Sequence, residues 1–212
     1  VGDLDSHDAP CRALAKAAGM RVLSFDYRLS PEHPWPTPVD DAVQAYNDVP
    51  ERAAELQIDP ARIAVGGDSA GGHLAAMVAL RTKAAFQLLI YPATDFTKTY
   101  RSADLFADGY LLTKRNMDWY EAQFVPATDD KRAASPLHAA NLREAPPAYV
   151  VTGGFDPLRD EGEAYAQALE QAGVRTTLRR YPGQVHGFLN MTALESTRTA
   201  IAEMAGVLRA SV

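Results

Sequence analysis

The densest chemistry in the chain sits in Gly66-Gly67-Asp68-Ser69-Ala70-Gly71-Gly72. It contains G-x-S-x-G as Gly67-Asp68-Ser69-Ala70-Gly71. An apolar run, Arg62–Gly66, leads into it, and a helical pattern of small residues, Ala70–Thr82, leads out. A serine on so sharp a strand-to-helix turn is held in a strained backbone conformation. Flanking side chains would clash there, and glycines two before and two after relieve the crowding. The turn lifts the serine oxygen above the sheet, with the helix N-terminus facing any negative charge that develops. Ser69 is therefore the expected nucleophile for acyl transfer, and the Ala70 N–H the expected oxyanion donor. A dinucleotide loop fails on register, since no G-x-G-x-x-G fits here, and no G-x-x-x-x-G-K-[ST] occurs.

A serine hydroxyl needs a general base. The candidates are His7, His33, His73, His138 and His186. His73 lies one turn into the helix after Ser69 and is expected to point away from the reactive side. On a serine elbow of this kind the partners follow in the order Ser, acid, His. That order excludes His7 and His33 and selects His186, in Pro182-Gly183-Gln184-Val185-His186-Gly187-Phe188. Glycines on both sides would let a loop histidine reach over the sheet edge. The third member must orient the imidazole and stabilise its charged form. Asp156, at the C-terminal end of an apolar strand pattern, ranks first, because ligands gather at such ends. Asp160, an N-cap candidate of the next helix, and Asp95 are its rivals.

These groups need a scaffold, and the hydrophobic pattern supplies one. Strands are expected at Arg21–Asp26, Arg62–Gly66, Ala85–Ile90, Ala148–Thr152 and Val174–Arg180. Helices are expected after a Ser6 cap up to Gly19, after a Thr37 cap, and at Glu51–Gln57, Ala70–Thr82, Glu161–Ala172 and Ala193–Ala210. Strands separated by helices imply a mostly parallel sheet with helices on both faces, an α/β fold. Asp95–Pro147 shows no strand pattern and reads as an insertion that shapes a site. Val174–Arg180 should be the sheet's edge, with Arg175, Arg179 and Arg180 as edge charges.

Composition narrows the function classes. The 212 residues carry 21 Lys plus Arg and 27 Asp plus Glu, a net charge of −6, with no basic cluster. Nucleic acid and anionic lipid are poor partners for such a chain. No apolar run approaches the length of a membrane helix. A single cysteine, Cys11, excludes an intrachain disulfide and a cysteine-built zinc site. The opening residues show no basic segment followed by an apolar one, so a cytoplasmic location is the expectation.

Several runs together resemble the bacterial hormone-sensitive-lipase-like esterases of the α/β-hydrolase superfamily. They are Gly2-Asp3-Leu4-Asp5-Ser6-His7-Asp8, Asp26-Tyr27-Arg28-Leu29-Ser30-Pro31-Glu32, Gly67-Asp68-Ser69-Ala70-Gly71-Gly72, Leu88-Leu89-Ile90-Tyr91-Pro92, Asp156-Pro157-Leu158-Arg159-Asp160 and His186-Gly187-Phe188. The resemblance implies an α/β-hydrolase fold over residues 1–212, with a partial helical cap within 95–147. It implies a serine carboxylesterase with Ser69, Asp156 and His186 as catalytic triad, acting on small-molecule esters with short to medium acyl chains. It implies no metal and no organic cofactor. Family members often dimerise through the strand corresponding to 174–180. An amide or carbamate deacylase with the same triad is the alternative; a non-catalytic α/β-hydrolase-fold binding protein, or an inactive fragment, is the alternative of another class. Asp68, Tyr91, Leu158 and Phe188 stand as pocket candidates, with core packing as their other reading. Trp119, Tyr120 and Phe124 fall in the cap interval. The family's H-G-G-G loop, which supplies oxyanion donors, lies just upstream of the run beginning at Gly2. An upstream strand is accordingly expected between Arg21–Asp26 and Arg62–Gly66.

Overall fold

The computed structural model describes residues 2–126 and 130–212; Val1 and residues 127–129 lie outside the described residues, the latter within the interval expected to carry a cap. The elements in chain order are α1 (Leu4–Ala18), α2 (Thr37–Glu51), α3 (Ala53–Leu56), β1 (Ala64–Asp68), α4 (Ala70–Arg81), β2 (Phe86–Ile90), α5 (Arg101–Leu105), α6 (Lys114–Phe124), α7 (Lys131–Ala134), β3 (Ala148–Phe155), α8 (Arg159–Gln171), β4 (Thr176–Val185) and α9 (Glu195–Ser211). The four strands form one parallel sheet in the order β1-β2-β3-β4.

Alternation along the strands decides which helices cover which face. On one face Leu88, Ile90, Tyr149 and Val151 pack with Ile201, Met204 and Leu208 of α9, flanked by Ala13 and Leu14 of α1. On the other, Leu89, Ala148 and Val150 meet Ala75 and Ala76 of α4 and Tyr165, Ala166 and Leu169 of α8. Both faces of β2 are thus covered, and all five of its residues are buried. That is why its sequence shows no polar alternation. Each fully buried aliphatic side chain contributes about 1.5–3 kcal/mol. Helix α2 forms a further layer, its Val39 and Ala42 packing on Leu74, Met77 and Val78 of α4.

The expected strand at Arg21–Asp26 is a correction. The segment joins no ladder, and its Val22, Leu23 and Phe25 are exposed. Its β-prone side chains suit a strand, but among the described residues no neighbouring strand satisfies its backbone, and β1 pairs with β2 alone. The cap of α1 also moves. Asp3, not Ser6, is the N-cap, and the two form a capping box: the Ser6 N–H donates to Asp3 Oδ1 (2.7 Å) and the Asp3 N–H to Ser6 Oγ (2.9 Å). Thr37 is likewise the first helical residue of α2 rather than its cap. Strand β1 starts two residues late, because Pro60–Arg62 forms a 3-10 turn. The brief link from α4 to β2 closes readily, with the Ala85 N–H donating to the Ile63 carbonyl (2.8 Å).

Strand β4 runs further than its hydrophobic pattern, to Val185. Its last residues follow the end of β3, with an irregularity in register between Gly153 and Phe155. Glycine permits this approach. A Cβ at Gly154 would lie 2.1 Å from the Pro182 carbonyl oxygen, and one at Gly153 2.9 Å from that of Gln184. Gly183, by contrast, faces open space. Gly154→Ala should therefore push the two strand ends apart and cost on the order of 1–3 kcal/mol, while Gly183→Ala should leave stability within about 0.5 kcal/mol of the parent. Paired urea denaturation curves measure both, and equal midpoints for the two variants would contradict the strand-approach account.

Candidate active site

Ser69 joins β1 to α4 with φ 54° and ψ −117°, a conformation a non-glycine residue adopts only where its surroundings enforce it. Its N–H donates to the Ile90 carbonyl of β2 (2.9 Å), and its own carbonyl accepts from the His73 N–H (3.0 Å) to start the helix. The crowding at this turn is specific. A Cβ at Gly67 would fall 2.2 Å from the Gly71 carbonyl oxygen, and one at Gly72 2.9 Å from the Pro92 side chain. A Cβ at Gly71 would meet nothing within 4 Å. Gly67 and Gly72 are thus the pair that the packing demands, not Gly67 and Gly71. The Ala70 N–H opens α4, where first-turn N–H groups lack helical acceptors.

The structure brings Ser69, His186 and Asp156 together. Ser69 Oγ lies 2.8 Å from His186 Nε2, and His186 Nδ1 2.9 Å from Asp156 Oδ2. An ionised carboxylate only accepts, so Nδ1 carries the proton and Nε2 is left free to accept from the serine. Asp156 is wholly buried, and its other oxygen takes the Leu158 N–H (2.8 Å). His186 stands in the turn directly after β4, as expected of a loop residue, and Gly187 turns the chain there with φ 76°.

The rival residues are engaged elsewhere. Asp160 accepts from the Ser102 N–H (2.9 Å) and pairs with Arg159. Buried Asp95 takes hydrogen bonds from the Thr97 hydroxyl (2.6 Å) and the Tyr100 hydroxyl (2.8 Å), and sits 3.1 Å from His138 Nε2. These hydrogen bonds outweigh burial and hold its carboxyl below the usual range. His73 is buried, with Nε2 2.8 Å from the Ala134 carbonyl, and burial pushes its imidazole down to about 4. His7 instead faces Asp68 (3.5 Å), a pairing that raises its imidazole above the usual range.

A cleft of about 620 Å³ opens over Ser69, Ala70 and His186. Leu158 lines it, as do Trp119, Tyr120 and Phe124 from the cap interval. The other three pocket candidates do not, which is a correction. Phe188 is fully buried in the core, Asp68 accepts the Tyr91 hydroxyl hydrogen bond (3.1 Å), and Tyr91 packs behind the imidazole. The sequence reading missed the Asp95–His138 pair and Glu161. Glu161 lines the cleft floor, where burial pushes its carboxyl up to about 8 although Thr94 N–H donates to it (2.7 Å). It reads in sequence as an ordinary first-turn acid of a helix, so no local signal marks it.

Leu111 lines one part of the cleft. It is 66% exposed with φ 74°, and its tip lies beside Gly187. The loop that carries it is clamped by Tyr110, stacked on Phe155 at 5.4 Å, next to Asp156. Among the described residues no helix is long and apolar enough to cross a membrane.

The chain is 48% identical over 208 residues to the carboxylic ester hydrolase LipN of Mycobacterium tuberculosis, covering 92% of this chain and 55% of that protein. It is 40% identical over 203 residues to an ethyl acetate hydrolase of Pseudomonas putida, covering 92% of this chain and 64% of that protein. The chain thus spans between about half and two thirds of the length of these relatives. Among solved structures, the ester hydrolase EH1AB1 from the metagenome of Lake Arreo, complexed with a bipyridine phosphonate derivative, superposes with a TM-score of 0.95 at 46% identity, covering 99% of this chain and 70% of that one. The family described as the alpha/beta hydrolase fold matches residues 1–190. The strained serine, the parallel sheet beneath it and these matches place the chain in the α/β-hydrolase fold family.

Proposed function

We propose that the chain is the catalytic domain of a carboxylic ester hydrolase in which Ser69, His186 and Asp156 carry out acyl transfer and 95–147 forms the cap. The unbroken hydrogen-bonded line from Ser69 Oγ through His186 to Asp156, at 2.8 and 2.9 Å, carries this reading. Ser69 Oγ attacks the ester carbonyl as His186 Nε2 takes its proton. Asp156 holds the tautomer and offsets the imidazolium charge. The Ala70 N–H donates to the oxyanion. His186 then protonates the leaving alcohol, and a water activated by the same imidazole releases the acid.

The predominantly apolar lining and size of the cleft support short to medium acyl chains, and the name of the Pseudomonas putida relative, an ethyl acetate hydrolase, supports the short end of that range. The open edge of β1 and the exposed Val22, Leu23 and Phe25 support a further strand between them in the intact protein, bringing additional oxyanion donors. A homodimer through edge strand β4 is the assembly we favour. Sedimentation velocity tests it, with Leu178→Asp expected to shift a dimer to monomer and a monomeric parent ruling it out.

Ser69→Ala should abolish hydrolysis of p-nitrophenyl acetate while the thermal transition is retained; parental turnover in that variant would remove Ser69 from the mechanism.

Asp156→Asn should lower kcat by roughly 10⁴-fold, since the amide no longer enforces the tautomer. Asp160→Asn and Asp95→Asn, whose partners lie outside the triad, should each cost about tenfold or less. Parallel kinetics on a p-nitrophenyl ester panel separate these cases, and the opposite ranking would reassign the acid.

A further inference from the structure

Two hydrogen bonds hold the His186 imidazole, one at each nitrogen. Hydrogen bonds at ring nitrogens favour the ring plane, so the two together fix a line and not a plane. The ring remains free to rock about that line unless something fills its face. Tyr91 fills it. Its ring centroid lies 4.7 Å from that of His186, tilted by 57°. Phe188 backs the tyrosine at 5.5 Å.

Tyr91 is itself fixed from three sides. It is wholly buried. Its backbone leaves β2 with φ 36°, in the left-handed region that non-glycine residues rarely adopt, and its N–H donates to the Val151 carbonyl of β3 (2.6 Å). Its hydroxyl donates to Asp68 Oδ2 (3.1 Å). Asp68 immediately precedes Ser69, and its other oxygen faces His7. One side chain thus touches the residue before the nucleophile at its tip and the base at its ring.

We propose that Tyr91 is a positioning residue of the triad, a brace that sets the tilt of the His186 imidazole relative to the Ser69 turn. This rests on the esterase reading for its kinetic consequence but not for its geometry. Burial and the Asp68 carboxylate hold the phenol protonated far above its usual range, so the hydroxyl stays a donor at every working pH. The contact also favours the reacting state. The imidazole becomes a cation as Ser69 attacks, and an aromatic ring within about 6 Å attracts that cation more than the neutral form. Interactions that strengthen in the transition state raise kcat rather than lower KM.

The test uses Tyr91→Phe, which removes only the hydroxyl, and Tyr91→Leu, which removes the ring. In Tyr91→Phe, kcat for p-nitrophenyl acetate should fall about fivefold to tenfold with KM within twofold. In Tyr91→Leu it should fall about a hundredfold. The downfield proton resonance of His186 Nδ1–H, identified by its loss in His186→Ala, should shift or broaden in both. Tyr91→Phe alone suffices if the leucine variant does not fold. Unchanged kcat and an unmoved resonance in Tyr91→Phe would overturn the brace, as would a loss shared equally between kcat and KM with the resonance unmoved. If the parent hydrolyses no ester, the resonance still decides: displaced, the brace stands and the esterase reading falls; unmoved, both fall.

Discussion

Backbone meets backbone at two places closer than any side chain would permit, and the candidate site depends on both. Gly67 lies against Gly71 across the serine turn, and Gly154 against Pro182 where β3 meets β4. The first contact folds the chain tightly enough to force Ser69 into its strained conformation. The second draws the end of β3, with Asp156, toward the end of β4, with His186. Atoms that must lie within 3 Å of one another are set by van der Waals exclusion between main chains. The hydrogen bonds of the triad then finish what packing has already arranged. A scaffold this exacting at the C-terminal edge can tolerate variation elsewhere, because the remaining sheet is held by a continuous apolar core on both faces.

How much of this was legible from residue types depends on the range of each interaction. The serine turn is local: glycines, serine, strand and helix are contiguous, so its geometry is written in a single stretch. His186 and Asp156 could be picked by chain order and by their place at strand ends, although they are 30 residues apart. Strands β2 and β3 are apolar and buried, and composition reveals them. Arg21–Asp26 has the same local preference yet forms no strand, because pairing is a property of a neighbour and not of the segment. The same limit hid Asp95–His138, whose partners are 43 residues apart, and the tilt of Tyr91 against His186. Both arise only when distant segments pack. Asp3 displaced Ser6 as the cap of α1 for a different reason. Both residues can cap, and the reciprocal pair uses both.

The acidic groups around the cleft divide by environment. Asp95 is buried yet remains a good acceptor, since a hydroxyl from Thr97 and another from Tyr100 replace the water it has lost. Glu161, a few ångströms of backbone away, receives N–H groups on one oxygen alone, and desolvation dominates. One cleft carboxyl is thus held below its usual range by hydrogen bonds, while burial raises the other to about 8.

Helix α6 contributes cleft-lining side chains but none of its own residues is fully buried. Its attachments include the Lys131–Glu121 pair, the Lys114 N–H donating to the Ala107 carbonyl (2.9 Å), the Trp35 N–H donating to the Phe124 carbonyl (2.8 Å) and the packing of Phe124 on Trp35, His73 and Phe96, while Lys114–Asp118 pairs within the helix. The sheet beneath rests instead on wholly enclosed aliphatic side chains. Opening free energies across a protein follow such differences, from near zero at weakly anchored elements to the global value in the core. The wall of the cleft is accordingly its softest part, while the triad is built on its hardest. Salt screens the charged attachments of α6 and leaves apolar burial in place. Ionic strength is therefore expected to act first on the α6 wall, and the amide protons of α6 are expected to exchange with solvent ahead of those of β2.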